Sequence, residues 1–213
     1  MTRVDHLRQD YGRGAFSRSD LRADPYEQFL MWLQGALDSD EPEPTAMTVA
    51  TVDARGLPSA RIVLLKGHSE SGLVFYTNYT SSKARALEES GRAALCFFWK
   101  SLERQVRVEG TVARVSSEES DAYFASRPRG SRIGAWASPQ SESVDNREAL
   151  EARVRAIEDR FPDDREIARP DFWGGFRVRP ERWEFWQGRT SRLHDRFEYV
   201  SDAEGWAVRR LGP

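Results

Sequence analysis

Met47-Thr48-Val49-Ala50-Thr51-Val52 is followed by the turn residues Asp53-Ala54-Arg55-Gly56, by Ser59-Ala60-Arg61-Ile62-Val63-Leu64-Leu65-Lys66, and, after residues 67–72, by Leu73-Val74-Phe75-Tyr76-Thr77. Three runs rich in β-branched and aliphatic residues, parted by two short segments of turn chemistry, predict an antiparallel meander. Further strands are expected at residues 92–99, 104–115, 172–178, 183–186, 191–200 and 206–211. Roughly eight strands joined by short turns favour an antiparallel barrel over a doubly wound parallel sheet.

Helices punctuate this pattern. Asp24 caps a helix that has Pro25 in its first turn and Glu27 completing a capping box, with Tyr26, Phe29, Leu30, Leu33 and Leu37 as its apolar stripe. Thr80-Ser81-Ser82 opens a short helix carrying Lys83, Ala84, Ala86 and Leu87, which Gly91 ends. The helix opened by Ser116-Ser117-Glu118-Glu119 must stop near Arg127, because Pro128 follows. Residues 128–144 read as a polar loop, and Asp145 and Glu148 bracket a helix presenting Leu150, Val154, Ile157 and Phe161. The expected class is therefore mainly β with peripheral helices: a mobile arm over residues 1–23 and a single domain over residues 24–213.

Composition narrows the function. A net charge of −2 supplies no global basic field for nucleic acid or an anionic membrane. No apolar run approaches the roughly 20 residues that span a bilayer. Met1-Thr2-Arg3-Val4-Asp5-His6 lacks the apolar core of a signal peptide, and the lone Cys96 cannot form an internal disulfide, so a cytoplasmic setting is expected. Cys96, within Leu95-Cys96-Phe97, reads as a small core residue rather than a nucleophile. The three histidines, His6, His68 and His194, form no metal-ligand spacing, so no metal is expected.

No Gly-x-Gly-x-x-Gly, Walker loop or Gly-x-Ser-x-Gly occurs, so the chemistry rests on dispersed residues. In Trp186-Gln187-Gly188-Arg189-Thr190-Ser191-Arg192-Leu193-His194-Asp195-Arg196-Phe197, read as a strand, Arg192, His194 and Arg196 share one face. Such a row is costly to bury without an anion, and phosphate suits the planar donor fork of arginine. Ser82 and Lys83 at a helix N-terminus form either a phosphate site or a plain cap. Arg61 and Lys66, five apart, fall on opposite strand faces; one is either a solvated strand end or the two meet different anions. Tyr123 and Arg127 lie four apart on one helix face, with Ser131 beyond, and offer a hydroxyl and a guanidinium to an anion or simply stack at the surface. Trp173, Phe176, Trp183, Phe185, Trp186, Phe197 and Trp206 crowd the last third and read mostly as core, although single-stranded nucleic acid is also bound by aromatics among basic residues.

These segments resemble the pyridoxamine 5′-phosphate oxidase family. The resemblance is carried by Asp24-Pro25, Pro44-Thr45-Ala46-Met47, residues 61–66, Val74-Phe75-Tyr76-Thr77-Asn78 and Leu102-Glu103-Arg104-Gln105-Val106. It continues through Ser126-Arg127-Pro128-Arg129, Ile133-Gly134-Ala135-Trp136, residues 172–177, Glu184-Phe185-Trp186-Gln187-Gly188, Arg192-Leu193-His194-Asp195-Arg196-Phe197 and Arg210-Leu211-Gly212-Pro213, nearly the whole chain in order. It implies an antiparallel split β-barrel and a homodimer with one FMN at each of two sites between subunits. The matched FMN positions are Arg61, Ile62, Val63, Leu64, Leu65, Lys66, Tyr76, Thr77, Ser82, Lys83, Gln105, Gln140, Ser141, Trp186 and Arg196. Substrate positions are Lys66, Tyr123, Arg127 and Ser131 on the vitamin's phosphate, Arg192 and His194 beside its ring with catalytic roles, and Arg8 and Tyr11 in the arm. One position departs from the family: Ser82 stands where an arginine is common; Arg189-Thr190-Ser191 is also an unusual turn there.

The implied reaction is FMN-dependent oxidation of pyridoxamine 5′-phosphate and pyridoxine 5′-phosphate to pyridoxal 5′-phosphate by oxygen, within vitamin B6 biosynthesis or salvage. The alternatives are another split-barrel flavin or deazaflavin oxidoreductase, which would not need Arg192, His194 or the Lys66, Tyr123, Arg127 set, and a non-catalytic flavin or pyridoxal-phosphate-binding module.

Overall fold

A computed structural model of the chain describes residues 3, 4, 6, 10–163 and 165–213. The strands are β1 (Ala46–Val52), β2 (Pro58–Leu64), β3 (Gly67–Ser69), β4 (Gly72–Asn78), β5 (Arg92–Trp99), β6 (Arg104–Arg114), β7 (Trp173–Gln187), β8 (Asp195–Asp202) and β9 (Gly205–Leu211). The helices are α1 (Pro25–Leu37), α2 (Ser82–Ser90), α3 (Ser117–Ser126), α4 (Arg129–Ala137) and α5 (Arg147–Arg160). The strands hydrogen-bond in the order β2-β1-β5-β6-β7-β4-β3, with β8 on β7 and β9 on β8. The chain divides into two compact units.

The first unit comprises Met1–Val49, Ala94–Gly110 and Pro180–Pro213. Its core is aromatic. Phe29 of α1 meets Trp183 at 5.3 Å between centroids, and Trp32 meets Phe185 edge-on at 5.3 Å. The buried face of α1 is Phe29, Trp32, Leu33 and Ala36; Leu37, expected in the stripe, is exposed. The expected stripe omitted Trp32, and its inclusion rotates the helix toward the rings it covers. Asp24 caps α1 as expected, accepting from the Tyr26 N–H at 2.7 Å. Phe16 lies within the segment read as a mobile arm, yet it is buried between Trp32 at 4.9 Å and Phe197 at 5.3 Å. Burying such a ring is worth about 1.5–3 kcal/mol, which offsets part of the entropy cost of ordering the chain around it.

The second unit comprises Ala50–Ala93 and Thr111–Arg179. Here the first half of β7 pairs antiparallel with β4, from Leu73 opposite Val178 to Asn78 opposite Trp173. Gly72 starts β4 at φ +135°, and a Cβ there would stand 2.2 Å from the Val178 carbonyl oxygen, so only glycine fits. Ser81 caps α2 by accepting from the Ala84 N–H, and Gly91 ends it in the left-handed region. Asn146 caps α5, one residue beyond the expected Asp145.

Three further expectations are corrected. Residues 128–144 are not all loop, since residues 129–137 form α4, whose Ile133 and Ala135 pack with Phe124, Phe161 and Trp173. Two glycines and a preceding proline hid it, and tertiary burial overrode weak propensity. The two strands expected at 172–178 and 183–186 are the single strand β7. Pro180, which donates nothing to a ladder, falls after the β4 pairing ends at Val178 and before the β8 pairing begins at Arg182. Finally, β8 begins at Asp195, not at Ser191: residues 190–192 form a 3₁₀ turn with Ser191 at φ 55° and Arg192 at φ 60°. The shared strand face read for Arg192, His194 and Arg196 therefore does not exist.

Candidate functional site

In the second unit β4 and the start of α2 build a cradle of donors around Lys83. Thr77, on β4, is buried, and Ser81 is the buried cap of α2. The Lys83 ammonium donates to Thr77 Oγ1 at 3.0 Å, to Gln140 Oε1 at 2.8 Å and to Ser81 Oγ at 3.5 Å. All three partners are neutral oxygens. Burial, reinforced by the nearby charge of Arg61, lowers the Lys83 pKa from 10.5 to about 8. Arg61, on β2, donates to Thr51 Oγ1 at 2.8 Å and to Ser59 Oγ. A desolvated ammonium, a guanidinium within Coulombic reach, hydroxyls and a helix N-terminus form a donor set that fits a phosphate monoester, and so fits the phosphate of FMN. Ser141 follows Gln140 with φ 73°. Ser82, exposed on the first turn of α2, lines an open cleft of about 530 Å³ together with Ser59 and Arg85.

A second cluster in the same unit stacks three rings. Tyr76 and Tyr123 lie 3.9 Å apart and nearly parallel, and Trp173 continues the stack at 5.5 Å from Tyr76. Burial first, then the Glu119 charge, pushes the Tyr76 hydroxyl up to about 12. The Arg127 guanidinium sits over Trp173 at 4.6 Å, and its Nη1 is buried with no hydrogen-bond partner among the described residues. Ser131 is exposed in the first turn of α4. Lys66 lies past the end of β2, exposed, with its backbone N–H on the Val74 carbonyl at 2.9 Å. Among the described residues no hydrogen bond or ion pair joins Lys66 to Tyr123, Arg127 or Ser131. Ile62 is exposed and Leu65 buried, while Val63 and Leu64 are half-buried.

The first unit holds a third cluster. Trp186 and His194 are 4.6 Å apart, and Tyr11 packs on both, at 5.6 and 5.9 Å. Gly188 permits this, because a Cβ there would be 2.8 Å from the Tyr11 ring. The Glu103 carboxylate accepts the backbone N–H groups of Gly12 and Arg13, both at 2.9 Å, and Asp10 accepts that of Ser191 at 3.1 Å. His194 Nδ1 accepts the Arg189 N–H at 3.1 Å, so the neutral ring carries its proton on Nε2. Burial, then the charges of Arg192 and Arg196, hold the His194 pKa below its ordinary 6.5. Arg192 is exposed; Arg196 is half-buried, paired with Glu184 at 2.8 Å. Gln105 is half-buried on β6. Arg8 lies outside the described residues. Cys96 is half-buried on the face of β5 opposite Leu95 and Phe97, and burial raises its pKa, which removes nucleophilic character.

Sequence reasoning missed Trp173 as the floor under Arg127, Glu103 and Asp10 as anchors of the arm, and Glu184 as the partner of Arg196. Only Glu184 left a signal: a charge flanked by Trp183 and Phe185 at a strand position otherwise read as core.

The fold and its solved likenesses define a mainly β, antiparallel split barrel. A crystal structure of PhzG from Burkholderia lata 383 in complex with tetrahydrophenazine-1-carboxylic acid superimposes with a TM-score of 0.86 at 29% identity, covering 92% of this chain and 95% of that one. A pyridoxamine 5′-phosphate oxidase-related, FMN binding protein from Nostoc punctiforme PCC 73102 has a TM-score of 0.71 at 18% identity, covering 91% and 100%. The model of the family described as pyridoxamine 5′-phosphate oxidase matches residues 33–161, and that of the pyridoxine 5′-phosphate oxidase C-terminal dimerisation region matches residues 173–213. Curated pyridoxine/pyridoxamine 5′-phosphate oxidases from Burkholderia multivorans (100% of each chain covered) and Rubrobacter xylanophilus (97% of this chain, 95% of the relative) are each 55% identical. The chain belongs to the pyridoxamine 5′-phosphate oxidase family of oxidoreductases.

Proposed function

We propose that this chain is an FMN-dependent oxidase that converts pyridoxamine 5′-phosphate and pyridoxine 5′-phosphate to pyridoxal 5′-phosphate, acting in vitamin B6 biosynthesis or salvage as a homodimer with FMN between its subunits. The observation that carries the reading is the presence of two separate cationic clusters, each suited to one phosphate ester: Lys83 with Arg61, and Arg127 with Tyr123. A flavin cofactor and a phosphorylated substrate call for two such clusters.

Lys83, Arg61, Thr77, Ser81, Ser82, Gln140 and Ser141 would hold the FMN phosphate and its polar neighbours, with Tyr76, Gln105, Trp186 and Arg196 as further contacts. When bound, the flavin would supply hydride acceptance from the C4′ carbon and transfer of the electrons to oxygen, so that the amine, with oxygen and one water, would yield aldehyde, ammonia and hydrogen peroxide. The chain supplies charge and orientation. Arg127, with its Nη1 without a hydrogen-bond partner among the described residues, Tyr123, Ser131 and Lys66 bind the substrate phosphate. Arg192 and His194 stand beside the pyridine ring, where the Nε2–H of His194 donates to a ring substituent and Arg192 steadies negative charge. Tyr11, packed on Trp186 and His194, excludes water from that side.

The test is turnover of both phosphorylated vitamers by the FMN-loaded protein with peroxide as readout. Peroxide from either supports the proposal; none from either sinks it. The likeness to PhzG carries a second reading, oxidation of a reduced tricyclic carboxylic acid, so that class of substrate belongs in the same assay. The 55% identity to the oxidases of phosphorylated vitamers, against 29% to PhzG, favours the first.

A further inference from the structure

The geometry points to Glu184 as the positioning residue for Arg196, the group that fixes the plane and edge of that guanidinium for the cofactor. The inference rests on Arg196 being a cofactor contact, as proposed above.

Glu184 and Arg196 share a sheet face by register: Trp186 is opposite Arg196 and Glu184 opposite Glu198, so Glu184 is the diagonal neighbour of Arg196 across the β7–β8 ladder. The carboxylate is 3% exposed. Its Oε1 accepts from the Arg196 Nε–H at 2.8 Å and forms an ion pair with Arg196 Nη2 at 2.8 Å. On the far side, Arg196 Nη1 donates to the Gly212 carbonyl at 2.7 Å. Two of the five guanidinium N–H groups, on Nε and Nη1, are thus hydrogen-bonded to chain partners among the described residues, with Nη2 held at ion-pair distance, and three remain for a ligand.

The second carboxylate oxygen explains how so buried a charge is tolerated. Glu184 Oε2 accepts from Arg107 Nη1 at 2.9 Å, and Arg107 reaches Glu109 at 2.6 Å. Arg182 pairs with Glu109 at 3.3 Å and with the fully buried Glu198, which also takes Arg209. The charges alternate in sign across β6, β7, β8 and β9. Stability alone does not account for this arrangement, because well-packed apolar side chains of similar volume do as well or better at buried ion-pair positions. What an apolar residue cannot do is orient a guanidinium beside Trp186.

Equilibrium FMN binding, followed by quenching of flavin fluorescence, tests the proposal on wild type, Glu184→Gln, Arg196→Ala and the double variant, with the thermal midpoint of each FMN-free protein as a control. Expected are a Kd about tenfold higher for Glu184→Gln, a loss at least as large for Arg196→Ala, and a double variant no worse than Arg196→Ala alone. A purely structural role would lower the midpoint and leave the two losses multiplicative, which overturns the proposal, as does an unchanged Kd for Glu184→Gln. An unchanged Kd for Arg196→Ala removes Arg196 from the FMN contacts and overturns the inference at its root; no FMN binding by the wild type sinks the proposed function itself. Should Glu184→Gln fail to fold, Glu184→Asp keeps the charge and withdraws it by one methylene; a Kd about threefold higher supports positioning and a wild-type Kd overturns it.

Discussion

Lys83 shows how one side chain can report on a site. Its ammonium is desolvated by burial and repelled by Arg61, which is why its pKa falls to about 8, and among the described residues no carboxylate partner offsets the fall. Between about pH 8 and 10.5 the unfolded chain keeps a proton that the folded chain has lost, so this residue makes FMN-free protein more stable as pH rises through that window. Thermal midpoints of FMN-free wild type should therefore climb relative to Lys83→Met over that range. FMN affinity should move the opposite way, weakening above about pH 8, because the phosphate needs the charged ammonium. Lys83→Met should raise the FMN Kd by about 10–100-fold, the worth of one charge-assisted contact. Arg192 and Arg196 should separate in the same measurements. Arg192 is exposed on a turn, so Arg192→Ala should cut turnover by about 100-fold with little change in thermal midpoint; an unchanged rate would return it to an ordinary solvated cation. Arg196→Ala should chiefly loosen FMN.

At the scale of elements, the informative places are where one segment ends and another pairing begins. Gly72 meets the Val178 carbonyl in the β4–β7 ladder at a positive φ, so Gly72→Ala should cost roughly 3 kcal/mol in chemical denaturation, through strain and displaced backbone together. The sequence spoke clearly wherever an element carried its own punctuation. Asp24 before Pro25, Ser81 before α2, Gly91 after it and Pro128 after α3 mark ends by local hydrogen bonding and dihedral preference alone. It misled where punctuation and burial disagreed. Residues 172–178 and 183–186 read as separate strands, and Pro180 between them is instead the seam between two ladders on one strand. Gly130 and Gly134 looked like loop, yet Ile133 and Ala135 are buried in the helix that contains them. Ser191 and Arg192 adopt left-handed dihedrals that nothing in their side chains announces, and so the run from Arg192 to Arg196 reads as a strand when it is a turn leading into one.

For the whole molecule, the match of residues 173–213 to a dimerisation region leads to a direct expectation: light scattering of the purified protein should give about twice the 24.4 kDa of one chain. A monomer carrying bound FMN would rule out a cofactor held between subunits. No described helix is long and apolar enough to cross a membrane. The sequence by itself determined the class of fold and the ends of helices such as α1 and α2, because strand alternation and capping are written in neighbouring residues; the ordered blocks from Asp24-Pro25 to Arg210-Leu211-Gly212-Pro213 were enough to mark the family, and they name the candidate residues of the proposed site. Only the tertiary structure decided which of those residues act together. Lys83 meets Gln140 across 57 positions, and Glu103 reaches Gly12 across 91. Arg127 meets Trp173, and Glu184 takes Arg196 by a ladder register that no local pattern encodes. Such contacts depend on chain closure over long separations, where packing of the whole core, rather than the preference of any one residue, selects the partner.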